Sequence, residues 1–108
     1  MFYQGETIPI NISCDDGIKL SNYDFVMIVY PQYDQDKLYE FRKKDFVTEI
    51  HDGVLHYRCE ISHSITSELP VGDYVIEIMI PEKNGFRSVY QKLHAFTIKF
   101  SNAKKIEL

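Results

Sequence analysis

The sequence predicts an all-β fold, an antiparallel β-sandwich of seven or eight strands, and three observations lead to this prediction. Apolar and polar residues alternate with a period of two along most of the chain, as half-buried strands require. Turn residues interrupt these runs about every ten residues, which is typical of an antiparallel sandwich or a small barrel. The chain has 108 residues, of which 44% are hydrophobic and 26% charged, and this composition is typical of a single folded domain with its own core.

The N-terminal half predicts an edge strand, a central strand and a more exposed strand. The run TIPINISC places Ile8, Ile10 and Ile12 on one face, and Pro9 assigns this strand to a sheet edge because proline has no N–H to donate. After a turn at residues 15–17, the run DFVMIVYP is apolar on both faces, as central strands are. The run KLYEFRKKDF then predicts an exposed strand with one aromatic face.

The C-terminal half predicts two hairpins and a long final run. Asp52-Gly53 separates FVTEI from VLHYRCEIS and is a strong short-range signal for a tight hairpin. Asn84-Gly85 predicts a second hairpin after GDYVIEIMI. The last run, FRSVYQKLHAFTIKF, predicts one long bent strand or two short ones. The sandwich is expected to occupy residues 1–100, with a polar C-terminal tail at 101–108.

Residues 63–69 interrupt the alternation and predict a short helical crossover between the two sheets. Ser62 or Ser64 can cap its first turn, and Pro70 prevents its continuation. The segment LPVGDY fits a tyrosine corner, in which a tyrosine at the start of a strand bonds its hydroxyl to the upstream backbone. The alternative is that Tyr74 is an ordinary half-buried strand aromatic. The predicted structural corner consists of Leu69, Pro70, Gly72 and Tyr74.

The order of these segments carries a family resemblance over nearly the whole chain. The positions that carry it are Gly5, Glu6, Thr7, Leu20, Tyr23, Thr66, Leu69, Pro70, Gly72, Tyr74 and Ile78. In this pattern the chain resembles the immunoglobulin-like domain at the N-terminus of phage baseplate upper proteins. The resemblance implies an immunoglobulin-like β-sandwich that serves as a non-catalytic structural module of a phage or prophage tail.

Charge and targeting signals limit the partners and the location. The net charge of −4 argues against a nucleic-acid partner, which would need a basic face. The chain has no run of 18 apolar residues, so the sequence predicts no membrane span. The N-terminus lacks the charged and apolar regions of a secretory signal peptide. We therefore expect cytoplasmic synthesis without a signal peptide and, from the resemblance, a virion-associated location.

The inventory of reactive side chains predicts no enzyme, no metal and no cofactor. The four histidines lack the close spacing of metal ligands on one element, and no nucleophile-elbow or other catalytic motif occurs. Asp34, Asp36 and Glu40 form an acidic group, but the glycine and terminal glutamate of a calcium loop are missing. We therefore predict no catalytic, metal-binding or cofactor-binding residues.

The two cysteines, Cys14 and Cys59, both point inward on the predicted strand phases. An immunoglobulin disulfide would need a cysteine two residues after Tyr74, where the chain has Ile76. Two buried free thiols, typical of a reducing compartment, are favoured over a non-standard bridge.

Aromatic side chains supply the predicted binding surface, because aromatic residues outside a core are enriched at interfaces. The alternative is that about half of them face the core. If exposed, they serve protein partners, including further copies of the chain or neighbouring tail proteins bound at edge strands. The second use is a glycan-binding platform, which the lack of tryptophan disfavours. The predicted interface residues are Phe2, Tyr3, Tyr30, Tyr33, Tyr39 and Phe41.

Overall fold

A computed structural model describes residues 1–13, 20–34, 36 and 38–100, and most of these residues lie in strands. One short helix, α1 (His63–Thr66), and two 3₁₀ turns, Leu20–Asn22 and Lys43–Asp45, interrupt them. The strands are β1 (Phe2–Tyr3), β2 (Ile8–Ser13), β3 (Val26–Pro31), β4 (Tyr39–Arg42), β5 (Val47–His51), β6 (Val54–Ile61), β7 (Gly72–Glu82) and β8 (Gly85–Lys99). The predicted all-β sandwich with one helical crossover is confirmed.

The strands form two sheets of unequal width. The wide sheet has the order β1-β8-β7-β3-β4 and the narrow sheet has the order β2-β6-β5. Neighbouring strands are antiparallel except β1 and β8, which run parallel. As predicted, β2 with Pro9 lies at a sheet edge and β3 is paired on both sides.

The core lies between the inward faces of the two sheets, on the phases that the alternation predicts. Tyr57 and Ile61 of β6 and Tyr74, Ile78 and Ile80 of β7 are all buried. Their neighbours on the same faces are half-buried and pack against the same core. These neighbours are Leu55, Cys59 and Ile76.

The first hairpin turn lies at the predicted residues, whereas the second is shifted by one residue. At the first, Asp52 has a φ of 52° and Gly53 a φ of 79°, and two such positive angles are what a type I′ turn requires. At the second, the loop consists of residues 83–84, and Gly85 is already paired with Glu82 as the first residue of β8. The second hairpin is therefore present but begins one residue earlier than predicted.

The final run forms one strand that is bent by two irregularities. Tyr74 pairs with Phe96 whereas Ile76 pairs with Lys92, so residues 93–95 bulge opposite a single residue of β7. His94 in this bulge has a φ of 51°, a conformation that non-glycine residues adopt rarely. Bulges of this kind bend a strand and end regular pairing.

The predicted turn at 15–17, Cys14 and the tail at 101–108 lie outside the described residues.

The crossover through α1 joins the narrow sheet to the wide sheet. Ser62 is the N-cap residue by its backbone, but its hydroxyl lies 2.9 Å from that of Ser64 and does not cap the helix. The buried Thr66 hydroxyl donates to the carbonyl of Glu6 at 2.6 Å, and the Gln4 amide donates to that of Leu69 at 2.9 Å. These two bonds fasten the crossover to the segment between β1 and β2.

The structural corner lies where the crossover enters β7. The hydroxyl of Tyr74 donates to the carbonyl of Pro70 at 2.6 Å, and the ring of Tyr74 stacks on Phe96 at 5.0 Å. Gly72 has a φ of 132°, which only glycine adopts without strain. Burial, with a smaller contribution from the neighbouring Tyr39, raises the pKa of Tyr74 to about 12. The hydroxyl therefore stays protonated and remains a donor at neutral pH.

Candidate functional site: the open side of the sandwich

The two lateral sides of the sandwich are filled differently. On the closed side, where the chain passes from β4 to β5, three aromatic rings fill the space between the sheets. The centroid of the Phe25 ring lies 5.3 Å from that of Phe46 and 5.0 Å from that of Tyr57. The open side is bounded by the edge of β2 in the narrow sheet and by β1 and β8 in the wide sheet.

The open side contains a cleft of about 520 Å³ with a largely apolar lining. The cleft exists because the wide sheet has two more strands than the narrow one, and so part of its inward face has no strand above it. Its volume falls within the range of about 300–1,000 Å³ that is typical of ligand sites. Its principal apolar lining residues are Phe2, Ile12, Ile76, Val89, Ala95 and Phe96.

The mouth of the cleft is polar and carries one cation. Lys92 pairs with Ile76 across the β7–β8 ladder, so the two side chains share the core-facing side of the wide sheet. Asn11, Ser13 and Tyr90 are the other polar residues at the cleft. Among the described lining residues, Lys92 is the only charged one and no carboxylate is present.

An unpaired strand edge runs along the cleft. β2 is the last strand of the narrow sheet, and its outer edge has no partner among the described residues. Such edges are usually protected by charged side chains. The sequence of β2, IPINIS, has no charge, and Pro9 is its only residue that resists pairing. Within the described ranges, the outer backbone groups of β2 therefore lack a strand partner beside an apolar cavity.

The opposite edge of the narrow sheet presents exposed aliphatic side chains. In β5, the residue Val47 is 65% exposed and Ile50 is 73% exposed. Ile50 pairs with Leu55 of β6, whose side chain packs against the core. Ile50 is thus on the core-facing side of its sheet, yet most of its surface is in solvent; we call this exposed side chain the overhang.

A charged cluster on the outer face fixes β5 to β6. A carboxylate oxygen of Glu49 lies 2.8 Å from Nε2 of His51, and both oxygens accept from Arg58 at 3.2 Å. The hydrogen bonds from His51 and then Arg58 lower the pKa of Glu49 below its ordinary value. Glu49 therefore stays ionised over a wide range of pH.

Polar side chains on the outer face of the wide sheet hold the β8 bulge. Asp73 accepts a hydrogen bond from the Thr97 hydroxyl at 2.6 Å, and its second oxygen lies 3.2 Å from Nδ1 of His94. The hydrogen bond from Thr97, and then the contact with His94, lower the pKa of Asp73. Because Ala95 follows His94 directly and lines the cleft, this cluster fixes one wall of the open side.

A second polar group lies beside it on the same face. Gln91 donates to the hydroxyl of Tyr30 at 3.0 Å, and that hydroxyl donates to Glu77 at 2.9 Å. Burial is the main cause that raises the pKa of Tyr30. The pair of bonds joins β3, β7 and β8 and accounts for a buried tyrosine hydroxyl.

The predicted interface aromatics divide between core and surface. Tyr30 and Phe41 are buried, so neither side chain is available to a partner. Phe2 and Tyr39 are half-buried and pack against the core; of these, Phe2 also lines the cleft. Tyr33 is 88% exposed and Tyr3 is 47% exposed, but neither lines the cleft.

Among the described residues, the remaining reactive groups include one free thiol and no metal-binding cluster. Cys59 is a half-buried free thiol, and burial, followed by the charges of Asp45 and Glu60, raises its pKa to about 11. Within the described part of the chain, no group of three or more His, Cys, Asp or Glu side chains could hold a metal ion. No described helix has the length and apolar character that crossing a membrane would require.

Sequence reasoning missed the cleft and the overhanging Ile50. Both depend on which strands join which sheet, and the alternation of a strand does not contain that information. The one local signal was in FVTEI, where Val47 and Ile50 are apolar on opposite faces of a strand. Two apolar faces on an edge strand indicate that one of them has no core to enter.

No protein-family model, curated protein or solved structure matches the chain.

Proposed function

We propose that this domain is a non-catalytic structural module that assembles, with copies of itself or with other proteins, through its open side. The observation that carries the proposal is the position of the apolar cleft directly beside the unpaired, uncharged edge of β2. An extended segment bound along β2 would pair with its free backbone groups and cover the cleft with its side chains. This is strand addition, a common mode of recognition at sheet edges.

The class that we propose is an immunoglobulin-like domain of a phage or prophage tail, with a virion-associated location. The strand order supports the immunoglobulin-like class. The first strand runs beside the last, and the chain crosses repeatedly from one sheet to the other. The Tyr74 hydroxyl bond to Pro70 supports it as well, because such a corner is a hallmark of these sandwiches. The tail origin is supported by the sequence resemblance.

A protein partner is favoured over the two other classes of function. A glycan platform needs several exposed aromatic rings on one surface. Of the predicted set only Tyr33 and Tyr3 are exposed by more than a third of their surface, and among the described lining residues of the cleft Tyr90 is the only exposed aromatic. An enzyme needs polar groups that converge in a pocket, whereas the cleft is mainly apolar with a single charge at Lys92. An extended, apolar chain segment suits this lining best.

The proposal is tested by light scattering on a size-exclusion column from micromolar to near-millimolar concentration, together with amide NMR shifts of the labelled chain. We expect a mass above that of the monomer at high concentration, with shift changes centred on β2 and the cleft. A rise in mass with shift changes elsewhere would support assembly but would contradict the open side as its site. A monomer with unchanged shifts at every concentration would contradict the proposed self-assembly.

A further inference from the structure

We propose that the segment bound at the open side is β5 of a second copy of this chain, so that copies associate head to tail. This inference depends on the proposed function, since it names the partner of the same site. The two edges of the narrow sheet are complementary: one borders an apolar cavity and the other carries an apolar overhang.

The overhang is an apolar side chain on the face of β5 that would be turned towards the cleft. Ile50 is on the core-facing side of β5, opposite Leu55, but its own sandwich leaves 73% of its surface exposed. β2 and β5 are both antiparallel to β6 and so run in the same direction. If β5 of one copy adds parallel to β2 of another, the inward faces of the two narrow sheets coincide and Ile50 points towards the uncovered inward face of the wide sheet. It would then lie over Val89 and Ala95 in the cleft.

The backbone of β2 can accept such a strand. In an antiparallel ladder, alternate residues direct their N–H and C=O groups to the same neighbour. Pro9 has no N–H and is tolerated where that group would face away from β6. Asn11 and Ser13 share its phase, so their N–H groups point to the free edge. The added strand would bring the narrow sheet to four strands and cover the cleft.

The charges of the two surfaces do not oppose this contact. The mouth of the cleft carries Lys92 without a carboxylate among its described lining residues. The strand β5 itself has no lysine or arginine, and its one carboxylate, Glu49, points to the outer face and is already paired with Arg58. Neither β2 nor the cleft adds a like charge that would oppose this segment.

The contact uses two different patches and is therefore heterologous. Each copy offers an open side at one end of the narrow sheet and β5 at the other. Contacts of this type repeat until they close into a ring or continue as a filament. Both outcomes suit a structural module that assembles from identical copies.

Two variants test the inference, and each disrupts one of the two contact surfaces, either the overhang on β5 or the free edge of β2. Ile50→Glu places a charge on the overhang, and Asn11→Pro removes an N–H from the free edge of β2. We expect the unmodified chain to form species larger than a dimer near millimolar concentration, and each variant alone to remain a monomer. An equimolar mixture of the two should form a one-to-one dimer and nothing larger, because only one complementary contact remains.

Val47→Glu is the matched control, since it introduces the same charge on the same strand but on the outward face. It should assemble like the unmodified chain; equal impairment would contradict insertion into the cleft. Ala95→Glu blocks the cleft without touching β2, and it replaces Asn11→Pro if circular dichroism shows that the proline variant does not fold.

The outcomes separate the inference from the proposed function. If the unmodified chain assembles and Ile50→Glu assembles equally well, β5 is not the occupant and only the inference fails. A dimer formed by Ile50→Glu alone would indicate symmetric pairing of two β2 edges and would also overturn it. If the unmodified chain remains a monomer throughout, the inference and the proposed self-assembly fail together.

Discussion

The closed and open sides of this sandwich are built from the same two sheets, but the space between the sheets is filled on the closed side and left partly empty on the open side. On the closed side, Phe25, Phe46 and Tyr57 fill the gap with rings that contact each other at their edges. On the open side the narrow sheet ends at β2, and a cleft of about 520 Å³ remains. The closed side therefore supplies stability, whereas the open side leaves apolar surface and backbone groups available for a partner.

The largest expected effect is a difference in stability between truncations on the two sides. Phe25→Ala should lower the free energy of unfolding by about 3–5 kcal/mol, because it opens a cavity in a closed, buried cluster. Ile12→Ala, which removes a half-buried side chain beside an existing cleft, should cost about 1 kcal/mol. Urea denaturation of both variants measures the difference. Equal losses would mean that the open side is packed as tightly as the closed side.

The tyrosine corner is expected to matter independently of either side. Tyr74→Phe removes the donor to Pro70 and leaves a carbonyl without its partner, so unfolding should become easier by about 1–3 kcal/mol. Tyr3→Phe removes a hydroxyl from a half-exposed residue and should change stability by less than about 0.5 kcal/mol. Urea midpoints compare the pair. If both variants behave alike, the corner bond contributes nothing.

The smallest expected effect is a pH dependence of the wall of the open side. The hydrogen bond from Thr97, with the contact to His94, holds the pKa of Asp73 below its unfolded value, which is about 3.9. Its stabilising contribution is therefore complete above that unfolded pKa and is lost as the pH falls through the lower folded pKa. Stability of the unmodified chain should fall more steeply below about pH 4 than that of Asp73→Asn.

Urea midpoints from pH 6 to 2 measure this difference, and Asp36→Asn, which changes an exposed carboxylate, serves as the control. Parallel curves for the unmodified chain and Asp73→Asn would show that Asp73 does not stabilise the bulge. The cluster would then play no part in fixing the wall of the cleft.

Local patterns in the sequence predicted much of the fold. The period of two placed Tyr57 and Ile78 on the buried faces, because side chains of a strand alternate strictly between its two faces. Asp52-Gly53 predicted its hairpin, since that pair adopts the two positive φ angles of the turn. The bulge at His94 had no such signal, because it is held by Asp73, a residue 21 positions earlier in the chain.

The open side could not be predicted for the same reason. Whether Ile12 meets a partner across the core depends on how many strands each sheet has, and that is settled by contacts between distant parts of the chain. The aromatic residues that the sequence offered as an interface were judged by type alone. Burial of Tyr30 and Phe41 depends on the strands that flank them.

Amide hydrogen exchange of β2, measured in dilute and in concentrated solution, reports whether a second copy binds at the open side. We expect the N–H groups of Asn11 and Ser13 to exchange rapidly at micromolar concentration and to become protected near millimolar concentration. Amides of the closed side, such as that of Tyr57, should exchange at the same rate in both. Exchange at Asn11 and Ser13 that does not change with concentration would contradict the claim that the open side binds a second copy.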